Sequence, residues 1–390
     1  MTTSARSWLS RPEVLERLGV KPQTLYAYVS RGRIAARPDP DDPRRSLYAA
    51  EDIHRLLDRT AQAARRTARE LEPAAARGEA VVESALTSFA DGKLWFRGKD
   101  AAALAEASTL EQAARWLWEG EEDPFADMKP RVDVVFPGGP RGRAFAALAR
   151  RADEDAPSAG RSVRSLRREA AAVLSEVVDA VAAGGTRPAL HLRLARAWKL
   201  TDKDGELLRR ALVLSIDHGL NEAALAVRVT ASTGASLAAC ALSGVAALSG
   251  PRFAGKLALA TGFVAEARRG ADARAAARQR LAQGLEIPGF GHPLHPDGDP
   301  RAKALLAAAS LPEELNDVVR VGEGLTGQAP NFDMALALIG RQLDLPKDGA
   351  FTLYAIGRTV GFTGHALEQI AAGAPIRTRL RYVGAEPDRS

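Results

Sequence analysis

Thirteen residues about three quarters of the way along the chain gather the groups best suited to chemistry: Gly289-Phe290-Gly291-His292-Pro293-Leu294-His295-Pro296-Asp297-Gly298-Asp299-Pro300-Arg301. Glycines lack a Cβ and let backbone approach a ligand closely. A histidine beside such a turn moves a proton near neutral pH. An arginine at the far end grips a carboxylate through two parallel hydrogen bonds. Proton donor, cation and bare backbone together describe a pocket for a small polyanionic acid. An arbitrary Gly-x-Gly-His is also read as a polar surface loop; the Asp-Pro-Arg at fixed distance makes this string rarer.

The elements that must position these groups come from a chain of 390 residues, long enough for two or three domains. The hydrophobic share, 46%, is ordinary for a chain that buries a core. A single cysteine, Cys240, excludes an internal disulfide and points to a reducing compartment. Met1 to Arg6 carries no apolar run, so no secretory leader and a cytoplasmic location are expected. Val229 to Pro251 has no charged residue and is long enough to raise the question of a membrane. Its Ala, Ser, Thr and Gly gain little from lipid and pack helices closely, which predicts a buried helix or helix pair and no membrane partner.

Residues 1–70 hold fourteen Lys/Arg against nine Asp/Glu, five of the six net positive charges of the chain. The location of this charge says more than its total. Ser10 followed by Glu13 forms a capping box with Pro12 in the first turn. Val14, Leu15 and Leu18 give an apolar face that Gly19 ends. A second helix is predicted from Pro22 to Ser30, with Leu25 and Val29 inward and Gly32 closing it. Asp41 to Tyr48 reads as a turn and a basic strand, and Glu51 to Arg59 as a third helix. Trp8-Leu9-Ser10, Leu18-Gly19-Val20, Thr24-Leu25-Tyr26, Gly32-Arg33-Ile34 and Arg45…Tyr48 resemble the MerR/excisionase type of winged helix-turn-helix. That resemblance implies a small domain over 1–60 whose second helix enters the major groove. Gln23, Thr24, Tyr26 and Tyr28 would stand near bases or sugars, with Arg31, Arg33, Arg44 and Arg45 on phosphate. A protein-contact role for the same domain stays open, since Asp39, Asp41 and Asp42 flank the wing. Residues 61–79 are rich in Ala, Arg and Glu and read as a helical linker.

Beyond residue 80 the pattern is mainly α. Leu104, Leu110, Ala114 and Leu117 recur at helical spacing, as do Leu192, Leu194, Ala197 and Leu200. Asp204–Ser215, Glu222–Leu248 and Asn331–Leu343 look the same. Strand-like runs are confined to Ala80–Val82, Lys93–Phe96 and Val132–Phe136.

The string Gly289-Phe290-Gly291-His292, six residues, then Asp299-Pro300-Arg301, resembles the signature of the citrate synthase family. Further matches follow in the order of that family over roughly 80–385. Leu214-Ser215-Ile216-Asp217-His218-Gly219-Leu220-Asn221 resembles the Asp-His-x-x-Asn segment, and Val229–Thr233 the helix after it. Gln328-Ala329-Pro330-Asn331-Phe332-Asp333 resembles the Pro-Asn-Val-Asp segment. Ile356-Gly357-Arg358-Thr359-Val360-Gly361 and Pro375-Ile376-Arg377-Thr378-Arg379-Leu380-Arg381-Tyr382-Val383-Gly384 resemble the two arginine-bearing stretches near the C-terminus. The resemblance implies a mainly helical body over 80–390, with a large domain about 80–254 and 345–390 and a small domain about 255–344. It also implies a homodimer with a shared active site.

It further implies a reaction in which acetyl-CoA or a related acyl-CoA condenses with oxaloacetate or a related 2-oxo acid. Asp333 would be the base, and His292 the donor to the ketone oxygen. His218, Arg301, Arg358 and Arg377 would hold the dicarboxylate, Arg377 reaching the partner subunit's site. Ile287, Gly289, Gly291 and Asn331 belong to the turn that receives coenzyme A, a co-substrate. No permanent cofactor and no metal is implied. Read as residues alone, Asp217-His218 is also a helix-end polar pair, Asp333 a helix N-cap, and Arg358 and Arg377 surface ion-pair partners. His295 is expected in a loop, and His365, His191 and His54 in structural or surface positions.

One position breaks the pattern. Where the family has a histidine in Gly-Pro-x-His-Gly-Gly, this chain reads Gly250-Pro251-Arg252-Phe253-Ala254-Gly255. A phenyl ring donates no hydrogen bond, and losing one oxyanion donor costs about 10²–10³ in rate. Three readings remain: an enzyme, a synthase-like metabolite sensor coupled to a DNA-binding domain, and an impaired subunit paired with an intact paralogue.

Overall fold

The structure is a computed structural model that describes residues 8–18, 22–30, 34–40, 42, 45–53, 82–126, 128–131, 135–183, 189–269, 272–377 and 383–384. The chain divides into two units, 1–81 with 322–328 and 82–321 with 329–390. Among the described residues no helix is long and apolar enough to cross a membrane.

The first unit runs β1 (Trp8–Ser10), α1 (Arg11–Leu18), α2 (Pro22–Ser30), β2 (Ala36–Pro38) and β3 (Ser46–Ala49). β3 pairs antiparallel with β1 on one side and β2 on the other, placing Leu9 opposite Tyr48 and Arg37 opposite Leu47. The expected capping interaction starts α1: Glu13 Oε2 accepts from Ser10 N at 2.8 Å and Ser10 Oγ at 2.7 Å. Leu9, Val14, Leu25, Ile34, Tyr48, Ala50 and Ile53 form a small core, with Leu15, Leu18, Tyr28 and Val29 packed on it. Helix is described for residues 50–53; the rest of the third helix and the linker expected over 61–79 lie outside the described residues.

The second unit opens with an antiparallel sheet of β4 (Thr87–Ala90), β5 (Lys93–Phe96) and β6 (Lys99–Asp100). Only β5 was expected from sequence. Of the other two runs predicted as strand, Val82, Val135 and Phe136 are described and none is strand. Helices follow: α3 (Ala101–Ala107), α4 (Leu110–Leu117), α5 (Pro140–Glu154), α6 (Val163–Ala182), α7 (Leu190–Ala197), α8 (Asp202–Leu214), α9 (Glu222–Ala231) and α10 (Leu237–Leu248). After them come α11 (Ala254–Arg269), α12 (Ala273–Ala282), α13 (Pro300–Ala308), α14 (Glu313–Thr326), α15 (Phe332–Gln342) and α16 (Gly349–Ala372). The uncharged run takes in the last three residues of α9 and all of α10, which Ser236 caps by accepting from Ala239 N.

α16 is the axis of the second unit. Most of its 24 residues are buried, packed among α6, α8, α9, α10 and α15. Its close approach to the end of α8 requires glycine. A Cβ on Gly357 would lie 2.5 Å from Ser215 Cβ, and one on Gly361 only 2.0 Å from Ile216 O. Backbone contact there sets Arg358 against Asp217. Trp118 Nε1 donates to Val360 O at 3.0 Å on another side of the helix.

Candidate active site

The acid–base candidates meet because two loops pair like a fragment of sheet. Phe290 and Pro330 form an isolated antiparallel bridge. Gly291 N donates to Ala329 O at 2.8 Å, and Asn331 N donates to Gly289 O at 2.9 Å. Asn331 is also the N-cap of α15: its Oδ1 accepts from Met334 N at 3.2 Å, and its Nδ2 donates to Gly291 O at 3.1 Å. The N-cap role left open for Asp333 therefore belongs to Asn331, and the Asp333 carboxylate in the first turn is spared for other work. Gly289 adopts a φ of +86°, and a Cβ there would meet Met334 Cβ at 2.8 Å, so the pairing needs a glycine. Ile287, just before this turn, is buried.

A cavity of about 140 Å³ opens beside this pairing. Its walls include His218, His292, Arg301, Asn331, Asp333 and Phe253, which the sequence singled out, and Lys256 and Tyr354, which it did not. Burial raises the Asp333 carboxyl to about 6, against the opposing pull of Arg301 and Lys256. A carboxylate at that level is ionised at neutral pH yet still basic. Burial and the Arg301 charge push His292 down to about 4, so its imidazole is neutral. His292 Nδ1 accepts from Leu294 N at 3.1 Å, which leaves the ring proton on Nε2 as a donor.

Arg301 opens α13, where Asp299 is the N-cap. Their side chains pair twice, Nε to Oδ1 at 3.0 Å and Nη2 to Oδ2 at 2.7 Å, with both buried. Burial alone would raise Asp299; Arg301 outweighs it and holds the carboxyl well below its ordinary range. The guanidinium also lies 4.6 Å over the Phe332 ring.

His295 lies in a loop, as expected, but is buried and packs against the histidines of the site. Its Nε2 lies 2.9 Å from His218 Nε2. The rings of His218, His292 and His295 sit 4.9–5.2 Å apart, centre to centre. Phe89 covers two of them, 5.1 Å from His218 and 5.5 Å from His295. Burial, with the Arg301 charge behind it, lowers His218 well below the ordinary imidazole range. His218, His292 and Asp299 place one ligand atom each within 4.8 Å, a spacing that could hold a metal ion. Both Asp299 oxygens already face the Arg301 cation, which opposes that use.

Arg358 lies behind the cavity wall. Its Nη1 donates to Asp217 Oδ1 at 2.6 Å, and neither residue has any exposure. Asp217 also accepts from Thr87 Oγ1 and, at 3.1 Å, from Gly219 N; His365 Nε2 lies 3.3 Å away. Thr87 and Phe89 alternate by two along β4 and so share a face, which explains how one strand serves both the aspartate and the histidines. Among the described residues, Arg358 Nε and Nη2 have no hydrogen-bond partner. Tyr354 stands one helical turn before Arg358 and lines the cavity; burial raises its phenol. The Asp217-His218 pair is thus a buried network, and Arg358 is an internal ion-pair partner. Arg377 is exposed beyond the end of α16 and does not line the cavity.

On the first unit, Gln23, Tyr26 and Arg45 are exposed, Arg45 paired with Asp42 at 3.2 Å. Arg11 lies 5.2 Å over the Tyr26 ring. Arg33, Arg44 and the side chain of Thr24 lie outside the described residues. Tyr354 and His295 carried detectable signals: one is four residues before Arg358 on the same helix face, the other three after His292.

The family described as "Citrate synthase, C-terminal domain" matches residues 142–379. The "Putative citrate synthase 2" of Mycobacterium tuberculosis (strain ATCC 25618 / H37Rv) is 31% identical over 187 residues, 45% of this chain and 50% of that protein. The citrate synthase of Haloferax volcanii is 33% identical over 190 residues, 46% of this chain and 50% of that protein. The chain thus spans about half the length of the curated relatives it matches. The ternary complex of carboxymethyl coenzyme A and oxaloacetate with the citrate synthase of Thermoplasma acidophilum has a similar fold. The TM-score is 0.61 at 18% identity, covering 80% of this chain and 96% of that one.

Proposed function

This chain belongs to the citrate synthase family, and from that premise we propose that it condenses acetyl-CoA or a related acyl-CoA with oxaloacetate or a related 2-oxo acid. The supporting observation is the pairing of 289–291 with 329–331, which holds a neutral donor, His292, and a raised carboxylate, Asp333, at one cavity. Asp333 removes a methyl proton of the thioester. The resulting enolate carbon attacks the ketone, whose oxygen takes a hydrogen bond and then the proton of His292 Nε2. The proton held by Asp333 balances the one gained by the new alcohol, and water carries it back to His292. Water then cleaves the thioester, giving citrate or its homologue and free CoA. Arg301 and His218, which line the cavity, hold the dicarboxylate, while Arg358, buried against Asp217 and outside the lining, belongs to the network behind them. The turn of Ile287, Gly289, Gly291 and Asn331 receives coenzyme A, which comes and goes as a co-substrate; the reaction uses no permanent cofactor.

The remaining parts of this reading are that 80–254 with 345–390 and 255–344 act as large and small domains, and that two copies share each site through Arg377. The first unit is a winged helix-turn-helix of the MerR type, reading DNA through α2, in a cytoplasmic protein. A thiol-release assay with acetyl-CoA and oxaloacetate tests the reaction: oxaloacetate-dependent release supports it, and no release with any short acyl-CoA excludes it.

A second reading is a metabolite sensor whose occupancy is relayed to the first unit. Phe253 at the cavity and the separate β-α-α-β-β unit favour it. Tight oxaloacetate binding by calorimetry without thiol release would select this reading over the first.

A further inference from the structure

Removing the methyl proton places negative charge on the thioester oxygen, and a preorganised donor there is worth orders of magnitude in rate. Phe253 offers that oxygen only a ring. Lys256 stands three residues later, in the first turn of α11, where its backbone N donates to Phe253 O at 3.0 Å. It lines the same cavity as Phe253, His292, Arg301 and Asp333. No carboxylate among the described residues pairs with its ammonium, whereas Arg252, which also lines the cavity, is 85% exposed and engages Glu222 at 3.4 Å. A lysine ammonium is a compact point charge on a flexible stem, able to follow an oxygen that acquires charge during the reaction. Lys256 is exposed, so an arriving thioester meets it directly.

We infer that Lys256 is a catalytic residue, the cation that holds the enolate oxygen of the acyl-CoA in place of the histidine that Phe253 displaces. The inference rests on the synthase reading above. As Asp333 takes the methyl proton, the C–H electrons form the enolate C=C and the carbonyl π pair moves to oxygen. The Lys256 ammonium donates a hydrogen bond to that oxygen and keeps its own proton. When the enolate carbon bonds to the ketone carbon, the carbonyl re-forms and the ammonium is released unchanged. The arrangement has a cost that identifies it. The same charge opposes the burial that raises Asp333, and it adds to the lowering of His292.

The test compares the full-length protein with Lys256→Met, Lys256→Arg and the double variant Lys256→Met/Phe253→His. The readouts are kcat and KM for acetyl-CoA from thiol release, and the pH profile. Oxaloacetate affinity by calorimetry serves as the folding control. The expected result for Lys256→Met is a fall of about 10²–10³ in kcat with little change in KM. The acid limb set by Asp333 should move to higher pH. Lys256→Arg retains part of the rate, and Phe253→His restores activity in the Lys256→Met background. An active protein whose kcat is unaltered by Lys256→Met, or whose KM alone rises, overturns the inference and leaves the synthase reading standing. No thiol release by the unsubstituted protein overturns the synthase reading itself, and the role of Lys256 with it.

Discussion

Arg358 Nη1 meets Asp217 Oδ1 at 2.6 Å in a pair that no solvent reaches. The aspartate is fixed by Thr87 Oγ1 and Gly219 N as well, so an element from each of three distant parts of the chain converges on one carboxylate. Arg358 thereby loses freedom, and among the described residues its Nε and Nη2 have no hydrogen-bond partner.

Breaking this pair tests its structural weight. Asp217→Asn leaves a buried guanidinium without its counter-charge and should destabilise the second unit by about 3–5 kcal/mol, read from urea denaturation. Burial alone would raise Asp217, but Arg358, His365 and Thr87 outweigh it and hold the carboxyl far below its ordinary range. A depressed carboxyl contributes stability that is present above its unfolded value and is lost as pH falls below it. The unsubstituted protein should therefore lose stability steeply below about pH 4, and Asp217→Asn should show a shallower acid decline.

Asp333, whose carboxyl is shifted the other way, supplies a second pH prediction, read in activity. Its folded carboxyl is raised to about 6 by burial, so catalysis should fall with decreasing pH through that value as the base becomes protonated. Asp333→Asn should abolish thiol release by at least about 10³ while oxaloacetate affinity stays within a few-fold. A variant that keeps a tenth of the activity would remove Asp333 from the role of base.

Arg301→Ala should have two effects that separate by assay. Calorimetry should show oxaloacetate affinity lowered at least tenfold, because the cation facing the cavity is gone. Denaturation should show a loss of about 3–5 kcal/mol, because Asp299 is left buried without its partner. Unchanged oxaloacetate affinity would remove Arg301 from the pocket.

Gly361→Ala probes the packing behind the site. The added Cβ would lie 2.0 Å from Ile216 O, so α16 or the segment before Asp217 must shift. A destabilisation of about 3 kcal/mol or more is expected. Gly262→Ala, whose Cβ meets nothing within 4 Å, should be close to neutral in the same thermal melt.

Much of this arrangement was written in local sequence. Ser10 and Glu13 mark the start of α1, and the uncharged run from Val229 marks the largely buried helix α10. The Gly-Phe-Gly-His and Pro-Asn-Phe-Asp strings marked the two loops that meet. What local pattern does not carry is pairing across long separations. β4 was missed because Thr87–Ala90 shows no strand periodicity of its own and is strand only against Lys93–Phe96. His295 looked like loop polarity because its partner, His218, lies 77 residues away. Arg358 was anticipated as a residue, while its seclusion depends on Gly357 and Gly361 meeting the end of α8.

The bridge between Phe290 and Pro330 has a mechanical consequence. Because backbone hydrogen bonds on either side fix one loop to the other, His292 and Asp333 sit like the two jaws of a clamp cast in one piece. In the domain division proposed above, Lys256 lies on the same part as this clamp, and Tyr354, on α16, lies on the other. Under the synthase reading, adaptation to a longer acyl chain would proceed by moving α16 against this preset tool.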